Sequence, residues 1–143
     1  KKGDIRTIIL IEDTPRFYSI ILPLIYKEIL YHTKQLIDKS LNDTQRLLHM
    51  RGRPKILLAK SYEIAEKYFN KYKNNILGII SDIHFPKNGK LHPNAGILFA
   101  KFVHSIEKSM PILLQSNDET ALELARSVTP NVLNKMALLE VVP

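Results

Sequence analysis

Apolar residues in this chain occur in two rhythms that take turns along its length. Short unbroken runs are centred on Thr7 to Ile11, Ile56 to Ala59, Leu77 to Ser81, Ile112 to Gln115 and Val132 to Asn134. Runs of this length that stop abruptly at a polar or charged residue have the pattern of buried parallel strands, covered on both faces and therefore apolar at every position. Between them the spacing changes to that of helices. From Ala95 to Ile106 the residues Ile97, Leu98, Phe102, Val103 and Ile106 fall on one face, and further helices are expected from Tyr62 to Tyr72 and from Asp118 to Ser127. Thr14 before Pro15, and Asn117-Asp118-Glu119, supply helix-start chemistry: a capping side chain, a first-turn proline and acidic residues at the positive end of the dipole. The stretch between Asp82 and Ala95 is expected to be a loop.

Alternating strands and helices imply an α/β domain whose parallel strands are joined by right-handed crossovers. The pattern fits a doubly wound, five-stranded parallel sheet of order 2-1-3-4-5. The first connection is unusually long. Roughly forty residues separate the first strand from the second, about twice what one crossover helix needs at 1.5 Å per residue. An extended helical region over residues 15–50 is therefore expected as an insertion. Pro23 should kink it or start a new helix, and Leu24, Ile25, Ile29, Leu36 and Ile37 carry its apolar pattern beyond the sheet. That face would fold back on the domain or bury itself against a partner, a second copy of the chain included.

The bulk properties narrow the class. The 143 residues make one domain, 1–143, large enough to build its own core. The chain opens on Lys1 and stops soon after Lys135, so it is expected to be part of a longer protein with a fused output or enzyme domain. Cysteine is absent, which excludes disulfide and thiolate chemistry and suits the cytoplasm. No apolar stretch has the length of a membrane span. The net charge of +7 raises the question of nucleic acid. Its densest cluster, Arg46, Arg51, Arg53 and Lys55, lacks interleaved aromatics and helix-turn-helix or zinc-finger spacing, and it reads as a solvated connection. His32, His49, His84, His92 and His104 have no metal-ligand spacing, and the glycines form no phosphate-cradling loop.

The chemistry lies where the apolar runs end. Strands of such a sheet present their carboxyl ends to one crevice, and here those ends are Glu12 and Asp13, Asp82, Ser116, and Lys135. Three carboxylates drawn together repel one another unless a cation joins them. Oxygen ligands without cysteine select a hard ion, which points to Mg²⁺. An aspartate held against Mg²⁺ can accept a phosphoryl group, making Asp82 the nucleophile, with Lys135 and the Ser116 hydroxyl holding the added oxygens.

This set resembles the response-regulator receiver domain: an acidic pair after strand one, D-x-x-x-P from Asp82 to Pro86, a hydroxyl after strand four and a lysine after strand five. The resemblance spans nearly the whole chain and implies a flavodoxin-like fold and a two-component signalling role, without enzymatic activity of its own. Residue by residue, Asp82 matches the phosphoacceptor, Asp13 the direct Mg²⁺ ligand and Glu12 the acidic residue acting through water. His84 matches the position whose backbone carbonyl binds the metal, Ser116 the switch hydroxyl and Lys135 the phosphate-contacting lysine. A histidine kinase or phosphotransfer protein is the implied partner. The chain departs from the family's pattern in its long loop HFPKNGKLHPNAG, in Val132 where many receivers carry an aromatic switch residue, and in Met136 after the lysine. Pro15 to Ser19, LPLIYKEIL and LLHMRGRPKILLA are also similar to receiver-like segments fused to phosphoenolpyruvate synthase-type enzymes. Two other readings stand beside the phosphoacceptor. One is an unphosphorylated interaction or dimerisation module regulating a fused or partner enzyme. The other, a phosphohydrolase, is disfavoured because its second acid would fall at His84.

Overall fold

The computed structural model describes residues 6–23, 27 and 55–135. Seven strands and three bounded helices follow in the order β1 (Thr7–Ile11), β2 (Lys55–Ala59), α2 (Tyr62–Tyr72), β3 (Ile76–Asp82), β4 (Phe85–Lys87), β5 (Lys90–His92), α3 (Ala95–Ile106), β6 (Ile112–Ser116), α4 (Glu119–Ala125) and β7 (Val132–Asn134). Residues 15–23, here α1, are helical between β1 and β2. The expected apolar face at Leu24, Ile25, Ile29, Leu36 and Ile37, most of the 15–50 insertion and the cluster from Arg46 to Arg53 lie outside the described residues.

Five strands form one parallel sheet in the order β2-β1-β3-β6-β7. Counting only the strands of that sheet, this is the 2-1-3-4-5 order of the sequence reading. The aliphatic residues Ile9, Leu10, Ile11, Ile79 and Leu114 are almost wholly buried, as strands covered on both faces must be. On one face α2 meets α3 through aromatic edges: Phe69 lies 6.5 Å from Phe99 and 5.7 Å from Phe102, and Tyr62 lies 5.5 Å from Phe99. Two helix starts are capped. Ser61 Oγ accepts from Ile64 N at the head of α2, and Asp118 Oδ1 accepts from Thr120 N at the head of α4.

The segment after Asp82 corrects the expectation of a loop. Phe85–Lys87 and Lys90–His92 pair antiparallel as a β-hairpin. Its two-residue turn is Asn88-Gly89, both at positive φ (57° and 80°), the conformation that asparagine and glycine tolerate and that matches strand twist. The Asn-Gly signal was present in the sequence, but the flanking strands are three residues each, too short to show a period. Phe85, fully buried, anchors the hairpin. Asn88 N donates to Glu63 Oε2 (2.9 Å), and the Lys87 ammonium lies 4.8 Å from the Tyr62 ring centroid. These contacts fasten the hairpin to the start of α2.

Candidate functional site: an acidic pocket with one lysine

Parallel strands ending together deliver the pocket. β1 and β3 run side by side up to Ile11 and Ser81, and β3 pairs with β6 through Asp82 and Gln115. The next residue on β1 is Glu12, which therefore reaches the rim beside Asp82. Carboxylate oxygens of Glu12, Asp13 and Asp82 lie within 4.8 Å of one another. Lys135, directly after β7, places its ammonium 2.7 Å from Glu12 Oε1 and 2.9 Å from Asp82 Oδ2. Glu12 is fully buried, Lys135 is 4% exposed and Asp82 is 5% exposed, so these charges are paired away from water.

Each carboxylate is also held by backbone. Ile83 N donates to Asp82 Oδ1 (2.9 Å) and Thr14 N to Glu12 Oε2 (3.2 Å). Ser116 is buried at the end of β6, where its Oγ accepts from Asp118 N (3.0 Å). His84 sits in the bend between β3 and β4, and its imidazole is outside the cluster of carboxylate oxygens. The pocket thus assembles Glu12, Asp13, Asp82 and Lys135, with Ser116 on the neighbouring strand end.

Three residues of the pocket carry no local signal that sequence reasoning used. The Phe17 ring, from α1, covers Lys135 with its centroid 4.2 Å from Nζ. Gly96, second residue of α3, donates its N–H to Ile83 O (2.9 Å) and brings the helix onto the Asp82-Ile83 backbone. Gln115 reaches Glu12 across β3.

The charges are unbalanced without an added cation. With every carboxyl ionised, three carboxylates against one ammonium leave two negative charges. Burial, reinforced by the charge of Asp82, pushes the Glu12 carboxyl up from 4.5 to about 7, against the pull of Lys135 and the Thr14 N–H. Burial also raises Asp82, opposed by Lys135 and the Ile83 N–H. A divalent ion would cancel the excess. For Mg²⁺, with oxygens at about 2.1 Å in an octahedron, two direct ligands can be no more than about 4.2 Å apart. A group spanning up to 4.8 Å suits two direct carboxylates and a third acting through water. Glu12 fits that third role, since Lys135, Gln115 and Thr14 already donate to its oxygens.

A pH dependence follows with a definite sign. Because Glu12 titrates at about 7 in the fold and at 4.5 as an ordinary carboxyl, the folded state holds more protons across that interval. Its contribution to stability is complete below 4.5 and is lost as pH rises through about 7. The metal-free chain is expected to be more stable near pH 5 than near pH 8. Protons on Glu12 and Mg²⁺ beside it neutralise the same cluster of charge, so the rise in melting temperature that the ion produces should grow over that range. Melting curves at several pH values with and without Mg²⁺ check this; an equal Mg²⁺ effect at both ends would refute the coupling.

The fold has counterparts among solved structures. The bacteriophytochrome response regulator AtBRR aligns over 96% of this chain and 89% of its own, with a TM-score of 0.60 at 16% identity. A response regulator receiver domain protein from Clostridium thermocellum aligns over 96% and 94%, with a TM-score of 0.54 at 17% identity. The signal receiver domain of an HD domain-containing protein from Pseudomonas fluorescens Pf-5 aligns over 97% and 85%, with a TM-score of 0.52 at 14% identity. The chain has the receiver-domain fold. No protein-family model and no curated protein matches its sequence, so the likeness is carried by backbone geometry. The receiver fold accounts for the sheet order and for a crevice at the carboxyl ends of β1, β3, β6 and β7. Among the described residues no helix is long and apolar enough to cross a membrane.

Proposed function

We propose that this chain is a phosphoacceptor module of two-component signalling, phosphorylated on Asp82 in a Mg²⁺-dependent reaction. The observation that carries this reading is the joint position of Asp82, Asp13, Glu12 and Lys135 at one rim of the sheet. Independent structural needs would not bring three carboxyls and a buried lysine to neighbouring strand ends.

Asp13 and Asp82, with the His84 carbonyl, would hold the ion, and Glu12 would bind it through water. When bound, Mg²⁺ supplies charge neutralisation for the carboxylates and for the incoming phosphoryl oxygens. The nucleophile is an Asp82 carboxylate oxygen, positioned by the Ile83 N–H. It forms a bond to phosphorus while the phosphorus–nitrogen bond of a phosphohistidine donor breaks. The bonding pair stays on the donor nitrogen, and because the other ring nitrogen of the donor carries a proton, the histidine leaves as neutral imidazole. Lys135, already 2.9 Å from Asp82, then holds a phosphoryl oxygen. The Ser116 hydroxyl, released from Asp118 N, donates to another. A histidine kinase or phosphotransfer protein is the donor class. The product adds about −1.5 to −2 charges at neutral pH, enough to bias a two-state rearrangement of the loop after β6. Val132 occupies the aromatic switch position and is half-buried, so that rearrangement proceeds without a ring moving inward.

Beryllofluoride with Mg²⁺, which mimics an acyl phosphate, is expected to raise the melting temperature by several degrees, and Asp82→Asn to abolish the gain. Absence of a shift in the unsubstituted chain would favour the other reading, an interaction module that keeps the fold without the chemistry.

A further inference from the structure

We propose that Gln115 is a positioning residue for the cation site, holding Glu12 in place from two strands away. The proposal rests on the Mg²⁺ reading above. Gln115 lies in β6, fully buried and preceded by the aliphatic Leu113 and Leu114. Its backbone is part of the same pocket, because it pairs with Asp82 across the sheet and its carbonyl accepts from Ile83 N (3.1 Å). Its side chain does something a strand interior does not require: it crosses β3 and donates Nε2 to Glu12 Oε1 at 3.4 Å.

As a stabilising contact this is poor. The bond is long, it shares its acceptor with the much closer Lys135 at 2.7 Å, and the amide's own Oε1 is buried and accepts no hydrogen bond among the described residues. A buried amide that satisfies half of itself is worse for the fold than an aliphatic chain of the same shape. What the amide does provide is orientation. Lys135 pulls on Glu12 from the β7 side and Thr14 N from the loop, while Asp82 repels it; the Gln115 Nε2 adds a donor fixed by a rigid strand. Glu12 is then presented to the cation in one rotamer. The Oε1 of the same amide, buried and without a partner among the described residues, is an acceptor for a proton of a cation-bound water. Partners of this kind, one step removed from the metal, commonly change its affinity tenfold or more.

Gln115→Met keeps the length and removes the amide, and Gln115→Leu is a second aliphatic replacement should the thioether pack badly. Magnesium chloride is titrated calorimetrically into the purified chain and each variant, and melting temperatures are taken without the ion. The expected result is Mg²⁺ binding weakened about tenfold with a metal-free melting temperature equal to or above that of the unsubstituted chain. Unchanged Mg²⁺ affinity would overturn the assignment, as would a fall in affinity accompanied by a matching fall in metal-free stability, which is what a merely structural glutamine predicts. An unsubstituted chain that takes up no Mg²⁺ would instead overturn the proposed function, so the two failures are told apart.

Discussion

Replacing Gly96 by alanine should destabilise the domain by about 3 kcal/mol or more, against the sign that helix propensity alone would give. In an ordinary helix position glycine to alanine gains up to about 1 kcal/mol. Here an added Cβ would meet Asp82 O at 2.2 Å and Ile83 Cα at 2.9 Å. Both are backbone atoms of the strand end that carries the nucleophile, so neither can swing aside as a side-chain tip would. The head of α3 must lift, breaking the bond from Gly96 N to Ile83 O, or Asp82 must move. Urea unfolding measures the loss, and the beryllofluoride response should fall with it, because the same displacement misplaces the acceptor. An alanine variant as stable as the parent would show that the close approach of α3 to β3 is not required.

Lys135→Met should cost about 3–5 kcal/mol at pH 8, the range for removing one member of a buried ion pair. Glu12 and Asp82 would lose the ammonium that lies 2.7 and 2.9 Å from them and would keep their burial. The loss should shrink towards pH 5. Both carboxyls already titrate above their ordinary values because they are buried, and without the lysine they take up protons at still higher pH, which removes the unpaired charge. Mg²⁺ should restore part of the stability at pH 8, replacing one cation by another. Unfolding curves at the two pH values, with and without the ion, test this. A deficit independent of both pH and Mg²⁺ would mean that the side chain matters for its packing under Phe17 rather than for its charge.

The sequence alone was enough for the sheet and for the pocket's principal groups, and the reason is local. A strand buried on both faces must be apolar at every position, so β1, β3 and β6 announce themselves. The residues that end them, Asp13, Asp82 and Ser116, are read by looking one step further. Helix α2 from Tyr62 to Tyr72 and helix α3 from Ala95 to Ile106 came out with their observed bounds, but the expected face of α3 did not hold throughout: Leu98 and Ile106 are exposed, and Phe99 and Ala100 are buried instead because α3 packs Phe99 against Tyr62 and Phe69. Alternation of the two element types implies a doubly wound sheet, and the placement of the charged strand ends fits the order 2-1-3-4-5.

What the one-dimensional pattern could not contain is every contact made across the sheet. Gln115 and Glu12 are 103 positions apart, and nothing near Gln115 distinguishes an amide aimed at a carboxylate from one facing solvent. Nothing beside Phe17 in the chain marks it as the ring that α1 sets over Lys135. The hairpin from Phe85 to His92 was hidden because three-residue strands have no measurable period, and only the pairing itself reveals them. Sequence determined which groups arrive at the rim, because strand ends and apolar runs are properties of neighbours along the chain. Tertiary structure decided how those groups are held, since hydrogen bonds, ion pairs and close backbone approaches depend on distances that only folding creates.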